Sequence, residues 1–195
     1  MEKTTLNLIL STIILATCVF YPNTIKAQTV KNWHIAGSKP ESYKIGISHD
    51  KERNSNVAYL KSKESKIDGF GTIMQSFQPT DFLGKKVKLT GYIKTIDVKR
   101  WTGMWMRVDG PIKGQSLSFD NMGDRPIKGS TPWKKYEIIL DVPKSATNIS
   151  YGVLTDGTGD ALIDNFNFEI ISDDETSTGR VKLEKPTNTN FEESN

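Results

Sequence analysis

The chain has a single cysteine, Cys18, and only two histidines, His34 and His49, in 195 residues. No second cysteine exists for a disulfide, and the histidines are not spaced like any metal motif, which excludes the common thiolate and zinc chemistries. Both histidines fall in stretches read as loops. There is no Gly-x-Ser-x-Gly elbow to present a serine nucleophile. No apolar run reaches the length of about 20 residues that a membrane helix needs. Charge of one sign is equally scarce. The 26 basic and 23 acidic residues are interspersed and leave a formal net charge of +3, without the basic stripe of a nucleic-acid binder. Beyond Ala27, no segment sustains a helical period of apolar residues.

The ends differ from the middle. Residues 1–27 carry Lys3, then an apolar run from Leu6 to Ala16 continued by Val19-Phe20-Tyr21, then a polar approach to Ile25-Lys26-Ala27. That is the layout of a signal peptide cleaved after Ala27, and it implies a secreted or periplasmic protein. Leu15-Ala16-Thr17-Cys18 offers an alternative, a lipoprotein anchored through Cys18, although Thr17 sits where such a pattern wants Gly, Ala or Ser. Cleavage after Ala27 leaves 24 basic against 22 acidic residues and no cysteine. From Ser172 onward apolar periodicity stops, so residues 172–195 read as a polar tail or linker. Within it, Asn188-Thr189-Asn190-Phe191-Glu192 has two readings, a chance pattern or the opening of a further module. Residues 30–171 are left as one domain with one core.

That middle is a series of short alternating segments separated by turn residues. Strands are expected at Val57–Leu60, Thr72–Phe77, Val87–Thr95, Met104–Val108, Ser116–Phe119, Tyr136–Val142, Ser150–Leu154 and Ala161–Ile171. Asp109-Gly110-Pro111-Ile112-Lys113-Gly114 joins two of them as a hairpin. Eight or so strands without helices predict an all-β protein, an antiparallel β-sandwich or jelly roll.

The chemistry concentrates between Trp101 and Met122. Side chains alternate faces along a strand, so Met104, Met106 and Val108 share one face while Trp105, Arg107 and Asp109 share the other. An aromatic ring offers a stacking surface, and a guanidinium and a carboxylate offer directed hydrogen bonds to hydroxyls. The same three residues have a structural alternative: Arg107 and Asp109 pair with each other beside Trp105. Asn121, next to Asp120, extends the polar face, Gln75 and Tyr92 contribute from neighbouring strands, and Trp101 rims the site, whereas Trp133 reads as a core or edge anchor. Asp109 and Asp120 are the carboxylates placed nearest one another, but a glycosidase needs such a pair across a cleft, and the chain is read as not an enzyme.

Several stretches resemble the galactose-binding-domain-like jelly roll of carbohydrate-binding modules. They are Ala161-Leu162-Ile163-Asp164-Asn165-Phe166, Tyr59-Leu60, Phe70-Gly71 leading into Met74-Gln75-Ser76-Phe77, and Trp133-Lys134-Lys135-Tyr136. Gly103–Asp109, Phe119–Met122 and Arg125–Gly129 resemble the accessory version of that domain found beside bacterial transcription regulators and secreted hydrolases. The resemblance spans residues 33–171. It implies an exported, non-catalytic module for a carbohydrate or small polar ligand. The alternative is a structural or interaction domain whose partner is another exported protein. No cofactor is implied beyond a structural calcium at Asp164, an ion wanting about six to eight oxygen ligands; the competing role for Asp164 is capping a loop. The partner expected from an N-terminal Asn-x-x-Phe-Glu pattern is missing at the start of the domain.

Overall fold

The computed structural model describes residues 30–179 and residue 189. Nine strands lie among them: β1 His34–Gly37, β2 Tyr43–Asp50, β3 Ser55–Ser62, β4 Phe70–Phe77, β5 Lys85–Asp109, β6 Ser116–Asp120, β7 Ile127–Val142, β8 Asn148–Asp156 and β9 Asp160–Ile171. Single 3-10 turns occupy Pro40–Ser42 and Thr80–Phe82, and no α-helix occurs among the described residues. The leader and the Cys18 anchor fall outside the described residues, as does the pattern around Asn188 apart from Thr189.

All pairings are antiparallel, and one strand belongs to both halves of the sandwich. The first part of β5, Lys86–Ile96, lies between β7 and β9, which continue through β3 to β2. Its second part, Trp101–Asp109, lies between β8 and β6, with β4 and β1 beyond β8. The strand turns this corner through three register shifts between Ile93 and Thr102, with Asp97 in the left-handed region at φ 52°. Bulges sharpen local twist and bend. This is why Val87–Thr95 and Met104–Val108, read as separate strands across polar Asp97-Val98-Lys99-Arg100, form one.

The halves close on Leu89, Ile93, Ile138 and Leu140 from one sheet and Ile73, Met104, Met106, Ile149 and Val153 from the other, all at most 1 % exposed. Each such side chain contributes about 1.5–3 kcal/mol. Phe77, Phe82, Tyr151, Phe166, Phe168 and Trp33 pack edge to face and stacked at one end. Gly91 makes this possible: a Cβ there would lie 2.8 Å from the Phe166 ring.

The sequence reading also differs at the start of β7, at the histidines and in the tail. His34 and His49 lie in β1 and β2, not in loops; both are strands at sheet edges, where one flank faces solvent and polar residues blur the alternation. Of the stretch read as a tail, Thr178 packs on β7, donating its N–H to Ile139 O at 2.8 Å and accepting Ile139 N–H at 2.9 Å.

Tyr43 ties two turns together, its hydroxyl donating to Gly157 O at 2.5 Å and Gly69 O at 3.3 Å. Burial first, then the Asp156 carboxylate, pushes the phenol up to about 12. A raised folded-state value stabilises fully below the unfolded value of about 10 and loses that contribution as pH climbs to about 12. Urea melts should therefore weaken between pH 9 and pH 11. Tyr43→Phe should lose about 1 kcal/mol at pH 9 but decline less steeply than wild type; an equal decline in both would exclude Tyr43 as the source.

Candidate functional site

The half-sheet β1-β4-β8-β5-β6 turns one face inward. Its other face forms a trough of about 480 Å³. Register explains the lining. Trp105 lies opposite Gly152, which lies opposite Met74; Trp101 lies opposite Asp156, which lies opposite Phe70. Gly152 leaves space over β8, and the Trp105 indole reaches across it to donate its Nε1–H to Thr72 Oγ1 on β4 at 2.8 Å. Thr72 in turn donates to Val153 O at 2.9 Å. Trp105 is 8 % exposed and serves as the floor, its N–H already used. Trp101 packs over Gly103, where a Cβ would come within 2.9 Å of the ring.

The polar groups sit around this floor. Arg107 keeps 48 % of its side chain exposed but turns sideways to Asp109, Nε to Oδ1 at 2.7 Å, and Asn148 Nδ2 donates to the same carboxylate at 3.1 Å. Asp156, at the far end, pairs with Arg100 at 3.0 Å. Asn121 enters from the loop after β6 and accepts Gly123 N–H at 3.1 Å. The loop is locked beneath by Asp120, which accepts Met122 N–H at 2.7 Å and pairs with Arg125 at 2.6 Å. Met122 is held there at φ 59° with its side chain buried.

The structure thus brings together Trp101, Trp105, Arg107 and Asn121, with Asp109 behind Arg107. It does not bring Gln75 or Tyr92 to them. Gln75 points to the opposite face of β4, accepting the Tyr151 hydroxyl at 2.6 Å. Its parity with Ile73 and Phe77 is the signal that could have placed it there. Tyr92 lies on the outer face of the other half-sheet beneath Arg53, whose guanidinium carbon is 4.3 Å from its ring centroid. Asp120 faces inward from β6 and does not form a pair with Asp109. Phe70, Met74, Phe119, Leu154 and Asp156 complete the trough without having been singled out.

Asp164 was open to calcium. Its carboxylate is taken by Arg53 Nε at 2.5 Å, and Arg53 also stacks 5.2 Å from the Trp133 ring centroid. Trp133 Nε1–H donates to Asp50, whose carboxyl is held low chiefly by the Arg53 N–H. No group of three or more His, Cys, Asp or Glu side chains suited to a metal occurs among the described residues. One carboxylate already paired with a guanidinium does not fit an ion that needs about six to eight oxygens.

No protein-family model matches the chain. The antiparallel β-sandwich is shared with solved domains that include carbohydrate-binding modules. The C-terminal family 22 carbohydrate-binding module of Clostridium thermocellum Xyn10B superposes with a TM-score of 0.50 at 13 % identity, over 79 % of this chain and 91 % of that one. The N-terminal CBM22-1–GH10 modules of xylanase 10B from the same organism, complexed with xylohexaose, give 0.52 at 12 % identity, over 72 % and 26 %. The enzymatically active domain of bacteriophage CBA120 tailspike protein 4 gives 0.57 at 15 % identity, over 74 % and 20 %. In sequence, the chain is 38 % identical over 170 residues to YbfP, an uncharacterized HTH-type transcriptional regulator of Bacillus subtilis (strain 168). The match takes in 84 % of this chain and 57 % of that protein, so the chain spans just over half of its relative.

The floor depends on the Trp105–Thr72 bond. Thr72→Val should leave a buried indole N–H without an acceptor and cost about 1–3 kcal/mol. Thr72→Ser keeps the oxygen and should retain most of the stability. Denaturant midpoints of the two variants check this; equal midpoints would show that the bond contributes nothing.

Proposed function

We propose that this domain binds carbohydrate in the trough between Trp101 and Arg107. The observation that carries the reading is an apolar floor of indole and phenyl groups with a guanidinium, a carboxamide and a carboxylate at its edges. Sugars present C–H faces to aromatic rings and hydroxyls to such polar groups, and a concave site with few convergent polar groups is how small ligands are held. The xylanase-derived modules that share the fold, one of them studied for the role of its cleft residues in ligand binding, support the same reading.

The role is binding without catalysis. Asp109, Asp120 and Asp156 are each paired with an arginine, which deprives a glycosidase mechanism of its free acid and base. The leader-like residues 1–27 support export. Among the described residues no helix is long and apolar enough to cross a membrane. The relationship to YbfP favours a second setting for the same trough, sugar sensing on behalf of a regulator.

Affinity electrophoresis and calorimetry against xylan and galactan oligosaccharides test the proposal. The wild type should bind at least one. Trp101→Ala removes a wall that does not bond to the core and should weaken binding about tenfold, the order of one lost stacking contact, with an unchanged melting temperature. Binding to no glycan, or binding indifferent to Trp101, would exclude the trough as a sugar site.

A further inference from the structure

The trough does not end at its own walls. Past Trp101, Asn121 and Asp156 it meets a second cleft of about 660 Å³ bordered by Lys99, Arg100 and Lys128. Past Arg107 it meets a third of about 310 Å³ on the β5–β6 turn, bordered by Lys113. Lys99 to Asp109 spans eleven residues of β5, or about 30 Å at the usual rise. The result is a groove open at both ends, aromatic in the middle and cationic at each end.

We infer that the preferred ligand is an acidic linear glycan, whose sugar faces lie on Trp101 and Trp105 and whose carboxylates or sulfates meet Arg107 and Lys113 at one end and Lys99, Arg100 and Lys128 at the other. The inference rests on the carbohydrate-binding reading and deepens it. Much of the positive charge is available. Arg107 and Arg100 keep 48 % and 51 % of their side chains exposed, so their outward N–H groups can meet an incoming anion while Asp109 and Asp156, 20 % and 15 % exposed, keep their pairs; Arg100's second partner, Asp68, is 99 % exposed and gives way at small cost. Lys113 and Lys128 are exposed. The groove also contains Asp109 and Asp156. Fixed carboxylates repel a dense polyphosphate backbone and accept bonds from hydroxyls, which favours a sparsely charged glycan over a nucleic acid.

The test compares polymers that differ in charge alone: polygalacturonate with its methyl ester, and dextran sulfate with dextran. A single-stranded oligonucleotide is included, and all are measured on the full chain at about 0.1 M and about 1 M salt, where the screening lengths are about 10 Å and about 3 Å. The acidic member of at least one pair should bind about tenfold more tightly than its neutral counterpart at low salt, and the preference should vanish at high salt. Whichever pair shows it identifies carboxylate or sulfate as the recognised group. The variant Lys99→Gln/Lys113→Gln/Lys128→Gln, checked for an unchanged melting temperature, should lose that preference, since three exposed ion pairs together amount to roughly tenfold. Equal binding within both pairs alongside retained binding of neutral xylan overturns the acidic preference and leaves the carbohydrate reading standing. So does a preference that survives in the triple variant. Tighter binding of the oligonucleotide than of any glycan overturns it in favour of nucleic acid, and absence of binding to every polymer removes both readings.

Discussion

Everything on the trough face depends on β5 keeping its register through both half-sheets. Met104, Met106 and Val108 are fully buried on one side, and this alone commits Trp101, Trp105 and Arg107 to the other. A slip of one residue would exchange the two sets, placing a guanidinium in the core and methionines in the trough. Contacts on and across β8 oppose such a slip. Thr102 and Thr155 share a buried hydroxyl contact at 2.9 Å between β5 and β8, and the Trp105 indole spans β8 to reach Thr72. Gly152 is required beneath that span for a further reason, since a Cβ there would fall 2.0 Å from Ile73 O. The trough floor is therefore tied directly to the core behind it.

Its charges are held differently. In Arg107–Asp109 and Arg100–Asp156 the guanidiniums are half exposed while the carboxylates are 20 % and 15 % exposed, so each arginine keeps an outward side open to a further partner. Asp120–Arg125 is another kind of pair, its carboxylate only 5 % exposed and also accepting a backbone N–H. Breaking it would strand a buried charge, so it serves to position the Asn121 loop and not to meet ligand. The Arg53 cluster on the opposite face belongs with it: one guanidinium joins the β2–β3 turn to Asp164 on β9 while stacking on Tyr92 of β5 and Trp133 of β7. Rigid aromatic floor and adjustable polar edge are thus separated in the structure.

What could be read in advance follows the reach of each interaction along the chain. Alternation in Met104–Asp109 is local, and it placed both faces of that segment. Trp101 and Asn121 followed because they adjoin it in sequence. Phe70, Met74, Leu154 and Asp156 reach the trough only through the order β4-β8-β5, which nothing local encodes. The same gap misplaced Tyr92, since nothing local shows that the first part of β5 belongs to the other half-sheet. Gln75 was lost to chemistry overriding parity, since an amide among core residues looks misplaced until the Tyr151 hydroxyl is seen to satisfy it. Asp164 pairs with Arg53, 111 residues away in sequence, which no local pattern announces. The β1 and β2 strands escaped notice because edge strands need bury only one flank.

The division of labour within the trough bears on selectivity. Trp105 has used its only hydrogen-bond donor on Thr72, so what remains to a ligand is a ring face, and a ring face accepts any sugar with a flat array of C–H bonds. Discrimination must then come from groups that can be left unsatisfied by the wrong ligand, because a missing partner for a desolvated polar group costs more than an imperfect apolar contact. In this trough those groups are Arg107, Asn121 and Asp156. Two of the three already have internal ionic partners, so a ligand gains from them only what it offers beyond Asp109 and Arg100. The exposed side of the Arg107 guanidinium gains more from an anion than from a neutral hydroxyl, and that inequality makes the edge, not the aromatic floor, the part of the trough able to choose.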